Sequence, residues 1–260
     1  MVTLLNRFDD NYIMKKEDIM EIVAYYTKEK GIQSSIKDVF FTSNNNVSAS
    51  FDPSNHEIYI HPNKVIENSQ ALFADIQKKY QIDDKYYSYF INFYYLHAIY
   101  RELEHANQEA RHEKNDSKEA IYNYLFELCT RIHQESKPFY EQNRILIPNE
   151  IEAHNNSLFT PSVWMKYTKL PSREGNIMYL QYLQSLIANY KKGNGGQLIT
   201  PIEQLAAIYP NVDLETIKEL TKQTKLKKIA RLNLGLSVEP KELTDLEEVI
   251  TKKTNKILHK

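Results

Sequence analysis

The run His97-Ala98-Ile99-Tyr100-Arg101-Glu102-Leu103-Glu104-His105-Ala106-Asn107-Gln108 carries the residue types that hydrolytic metal chemistry uses. In a His-Glu-x-x-His arrangement, two histidines four apart share one helix face and bind one zinc ion. The glutamate between them takes a proton from the metal-bound water. Glu102 stands at the glutamate position, as the general base, and His105 at the second histidine position. Arg101 stands where the first histidine belongs. A guanidinium stays protonated and has no lone pair to offer a cation, so the site is short of a ligand. The plain alternative is an ordinary helix pair in which Glu102 orients His105.

A third ligand is expected from a later helix. Pro148-Asn149-Glu150-Ile151-Glu152-Ala153 offers two carboxylates at a helix start, with Glu150 better placed by its spacing from the proline. His97 cannot help, because a separation of eight residues puts it about 12 Å from His105 along a helix. Glu109-x-x-His112 repeats the Glu102-x-x-His105 spacing on the same helix, whereas a di-iron bundle needs the motif on two helices.

Other candidates are weaker. Lys218, Lys222, Lys225, Lys227, Lys228 and Arg231 form a basic run that suits phosphates. Ile217, Leu220, Ile229 and Leu232 give it an apolar side, so a solvated amphipathic face is expected and nucleic acid is an unfavoured alternative. Cys129 and His133 share a spacing common on any helix and make no convincing nucleophile pair. Gly193-Asn194-Gly195-Gly196 lacks the Lys-Ser/Thr and the preceding strand of a phosphate loop. Trp164, the single tryptophan, is expected to anchor the core to the C-terminal segment.

These residues need elements to position them. With six glycines in 260 residues and many helix-forming side chains, the chain leans towards helix. Lys16–Lys30 places Ile19, Ile22, Val23 and Tyr26 on one helical face, with Gly31 as a stop. Val39-Phe40-Phe41, then Val47, Ala49 and Phe51, then Glu57–His61 alternate as strands around the turn residues Asp52-Pro53-Ser54-Asn55. The fold class expected is therefore α+β, predominantly helical, with a small antiparallel sheet over 39–61 whose hairpin closes at residues 52–56. Long helices are expected over 65–141 and 148–168, with a connection at 113–116, and loops at 170–176 and 192–196. Residues 1–168 then form a core, and 169–260 a C-terminal helical segment that Thr200-Pro201 opens.

The formal net charge of −1 gives no general attraction to nucleic acid or anionic lipid. One cysteine excludes an internal disulfide framework and a cysteine-rich zinc site. No run reaches the roughly 20 apolar residues of a membrane helix, and a cytoplasmic protein with no membrane partner is expected.

The sheet with its alternating strand, the helix "RELEHANQ" and the later "PNEIEA" resemble the compact zinc peptidases related to the ImmA/IrrE group, within the gluzincins. They are closer still to uncharacterised bacterial and mobile-element proteins with a "HELEHANQ"-like helix. The resemblance covers residues 39–153, and extends to 231–248 through "RLNLGLSVEPKEL". It implies a metallopeptidase-like fold. In that geometry the Arg101 guanidinium points at the metal position and pairs with Glu150, one positive charge replacing another. No cofactor and no ordinary peptidase activity are then expected, and the groove serves an unidentified protein or peptide partner. Two alternatives stay open: an active metal hydrolase that holds zinc with His105, Glu150 and His154 and uses Glu102 as base, and a nucleic-acid regulator acting through the basic run.

Overall fold

The structure is a computed structural model that describes residues 1–43, 46–113, 120–191, 199–224, 226–236 and 239–259. Of the connection expected at 113–116, Glu113 instead closes a helix; residues 114–116, the glycine-rich loop at 192–196 and Lys225 lie outside the described residues. The fold is predominantly helical α+β with one small sheet. No helix among the described residues is long and apolar enough to cross a membrane.

The chain divides into two compact units that alternate along the sequence. The first comprises Met1–Asn107, Asn156–Tyr182 and Lys253–Lys260, the second Gln108–Asn155 and Leu183–Lys252.

In the first unit, α1 (Val2–Leu5) leads to α2 (Lys16–Lys30). Helix α2 has the predicted bounds, and Gly31 ends it at φ 67°, a left-handed conformation that costs glycine little. Asp18, near its start, is 3% exposed. It accepts hydrogen bonds from Arg7, the Tyr12 hydroxyl and the Lys15 N–H, so the entering segment is tied to the first turn.

The sheet contains β1 (Asp38–Phe41), β2 (Ala49–Asp52) and β3 (Glu57–Ile60) in the order β1-β3-β2. The hairpin of β2 and β3 is antiparallel. Asp52 closes it by accepting from the Ser54 and Asn55 N–H groups. Strand β1 joins the far side of β3 in parallel, so the sheet is mixed rather than wholly antiparallel. The hairpin turn fixes only the β2–β3 pair, and β1 arrives through a separate crossing connection.

Helix α3 (Pro62–Tyr80) follows, then α4 (Tyr87–Glu113), which contributes to both units. Within the first unit, α4 buries Phe90, Phe93, Leu96, Tyr100 and Leu103. Tyr100 packs edge-on against Tyr26 of α2, with ring centres 5.3 Å apart. The wholly buried Asn92 accepts from the Met14 N–H and donates to the Tyr12 carbonyl. An amide at this depth needs both bonds.

The second unit holds the end of α4, α5 (Ala120–Glu135), α6 (Lys137–Asn143) and the start of α7 (Pro148–Met165). It also holds the end of α8 (Ser172–Lys191), α9 (Pro201–Ile208), α10 (Leu214–Gln223), α11 (Lys228–Asn233) and most of α12 (Pro240–Leu258). Its core joins Ile121, Leu125, Leu128 and Ile132, one stripe of α5, to Ile202, Leu205, Ile217, Leu234 and Leu236. The loop expected at 170–176 is shorter than predicted, because α8 already begins at Ser172. Glu174 and Gly175 are buried there, and packing overrides the helix-weakening glycine.

One glycine is required by space as well as by conformation. Gly235 has φ 65°, and a Cβ there would lie 2.9 Å from both Ile151 Cδ1 and Pro201 Cβ. The proline ring cannot rotate away. Gly235→Ala is expected to lower stability by about 1–3 kcal/mol, read as a lower urea midpoint with an unchanged slope.

Candidate functional site

Arg101, Glu102 and His105 lie on the part of α4 that belongs to the first unit. Glu102 is 5% exposed, and burial of a carboxylate demands donors. One donor is the Phe51 N–H of β2, 3.0 Å from Oε2. The sheet register explains why that group is on offer. His61 donates to the Ser48 carbonyl, and Ser50 and Asp52 stand opposite Tyr59 and Glu57. The even-numbered residues of β2 thus bond to β3, and the Phe51 N–H faces the outer edge. On the other carboxylate oxygen, Arg101 Nη1 lies 3.5 Å from Oε1. The Arg101 side chain is 25% exposed, and His105 is half-buried.

The arrangement is thus a carboxylate held by an edge strand and flanked by a guanidinium. Of the two ligand positions of the His-Glu-x-x-His pattern on α4, only the one at His105 carries a lone pair, because Arg101 offers none.

Glu150 and His154 belong to the second unit. Glu150 is buried at the start of α7 and accepts from the Tyr140 hydroxyl at 2.7 Å. Burial, then the charge of Glu150 and this bond, push the Tyr140 phenol above its ordinary range. His154 Nε2 lies 2.7 Å from the Ser185 Oγ. Among the described residues, no three or more His, Cys, Asp or Glu side chains are grouped to hold a metal ion.

A buried polar cluster in the second unit escaped sequence reasoning. Arg111 reaches Glu152 through both terminal nitrogens, at 2.7 and 3.3 Å. Gln108 donates to the same carboxylate and to the Asn149 carbonyl. The Arg111 guanidinium also lies 4.4 Å from the centre of the Tyr122 ring. Glu152, the second carboxylate of "PNEIEA", is thus committed to a bidentate pair that locks α7 to the end of α4. A separation of 41 residues left no local signal for it.

The C-terminal cations are largely neutralised by neighbouring acids. Lys218 pairs with Glu215, Lys222 with Glu219, and Lys228 and Arg231 both approach Glu242. Lys227 is exposed at the start of α11. Trp164 packs edge-on against Tyr100 at 4.9 Å and lies 6.4 Å from Tyr25. It therefore braces α7 against α2 and α4 within its own unit. His133 packs on Tyr140, and Cys129 is a buried free thiol.

Compared with protein-family models, curated proteins and solved structures, the chain matches none.

Two outcomes test this geometry. Glu102→Ala leaves the outward Phe51 N–H without its acceptor, so its amide should exchange faster and stability should fall by about 1–3 kcal/mol. Glu102→Gln keeps an acceptor oxygen and should recover much of that loss. Unchanged exchange at Phe51 in the alanine variant would contradict the assigned bond. Burial pushes the Cys129 thiol up to about 12. At about pH 8 the thiolate is then on the order of one part in ten thousand, and native protein should resist alkylation until it unfolds.

Proposed function

We propose that the protein is a metallopeptidase-like chain that does not carry out metal hydrolysis and acts by binding a protein or peptide partner. The observation that carries this is the state of Glu102. A general base for hydrolysis must face a metal-bound water. Here the carboxylate is buried against the Phe51 N–H and beside Arg101. Arg101 supplies at the first ligand position the positive charge that an ion supplies in an intact site. With the Phe51 N–H of β2 taken by Glu102, the extended backbone left for a peptide partner to align on is that of β1, the other edge of the sheet.

The experiment is elemental analysis of unchelated protein in four forms: wild type, His105→Ala, Arg101→His and the double variant. Wild type should hold far less than one zinc per chain, with no change in His105→Ala. Arg101→His completes the His-Glu-x-x-His pattern and should gain zinc that the double variant loses. Stoichiometric zinc in wild type, lost with His105, would establish instead a retained metal site that uses His105. Failure of Arg101→His to gain any metal would remove the metallopeptidase-like assignment of this helix.

A further inference from the structure

Away from α4, the first unit contains a cavity of about 220 Å³ lined by Ser172, Arg173, Asn176, Lys253, Lys256 and Ile257. We propose that this cavity binds a small phosphate-bearing anion, held by Lys253 and Lys256 of α12 and by the first turn of α8.

Charge is the first argument. Three of the six lining residues are cations, and none is acidic. Arg173 is partly committed, since it pairs with Glu174 at 3.0 Å and donates to the Tyr80 carbonyl. Lys253 and Lys256 form no ion pair among the described residues. A fourth cation, Lys166, stands close by: its Nζ lies 4.6 Å from the centre of the Tyr179 ring, and Lys253 Nζ lies 4.4 Å from the same centre. Two ammonium groups on one ring repel each other. Burial, followed by repulsion from Lys166 and Lys256, holds Lys253 below the ordinary lysine range. An anion in the cavity relieves that repulsion.

The second argument concerns donors. Helix α8 is 20 residues long and begins at Ser172, on the cavity wall. Its opening N–H groups have no acceptor within the helix, and its dipole favours negative charge. The Ser172 hydroxyl and the Asn176 amide add neutral donors on the same wall. Tetrahedral oxyanions satisfy several donors at once, which suits ammonium groups and backbone N–H groups converging from two helices. The volume is below the usual range for drug-sized ligands, which favours a phosphate group with little attached to it.

The test is isothermal titration of the full chain with inorganic pyrophosphate, at constant ionic strength, for wild type and the Lys253→Gln/Lys256→Gln variant. Glutamine keeps much of the lysine stem, and removing like charges should leave the melting temperature of the variant undiminished. Wild type should bind with a dissociation constant of about 1 mM or tighter, and the variant at least about tenfold more weakly. Glycerol phosphate and inorganic phosphate separate the sources: tighter binding of the ester assigns an organic phosphate, and the reverse assigns the free ion. No heat from wild type at about 10 mM pyrophosphate, or equal affinity in the folded variant, would overturn the proposal. So would binding of a short DNA duplex with no response to pyrophosphate, which would make the surface a nucleic-acid contact.

Discussion

A carboxylate withdrawn from water must be met by donors or it destabilises the fold by several kcal/mol. In the first unit this requirement falls on Glu102. Its bond to the Phe51 N–H joins the middle of α4 to the outer edge of β2, across a separation of 51 residues. An exposed edge N–H is also the group through which a strand recruits foreign strands. The one interaction therefore satisfies a buried charge and occupies an edge donor. Arg101, the adjoining residue of α4, places a guanidinium nitrogen 3.5 Å from the other carboxylate oxygen.

The second unit solves the same problem differently. Glu152 meets a bidentate guanidinium and an amide, and Glu150 meets a phenol. The two carboxylates at the start of α7 are thus both committed within a single turn. Around them the apolar stripe of α5 packs on α9, α10 and the segment after α11. That packing is close enough at Gly235 that not even a methyl group fits. Removing either member of the Arg111–Glu152 pair would strand a buried charge, at a cost of about 3–5 kcal/mol.

Local chemistry made much of this fold legible. Gly31 and the apolar spacing of Ile19, Ile22 and Tyr26 set α2, and Asp52-Pro53-Ser54-Asn55 set the hairpin, because each signal lies within the element it specifies. The pairing of β1 with β3 was not legible, since no turn dictates which edge a distant strand joins. Glu174-Gly175-Asn176 looked like a loop, yet burial carries it into α8. At the candidate site, the spacing of Glu102 and His105 placed both on one helix, and the structure has them on α4. Their partners could not be read: Phe51 is called upon by the register of a sheet, and Glu152 by the approach of two helices. The alternation of the two units along the chain has the same origin, because helices α4, α7, α8 and α12 each serve both and no composition shift marks the crossing points.

The setting of Trp164 has an optical consequence. It is the only indole in the chain, and its ring stands edge-on to Tyr100 with Tyr25 nearby. Excitation absorbed by those phenols passes readily to the indole at such separations. All three rings belong to the first unit, so tryptophan emission reports on packing within that unit. The nineteen tyrosines dominate the near-ultraviolet absorbance of the whole molecule, while the fluorescence of one side chain follows the packing of α2, α4 and α7.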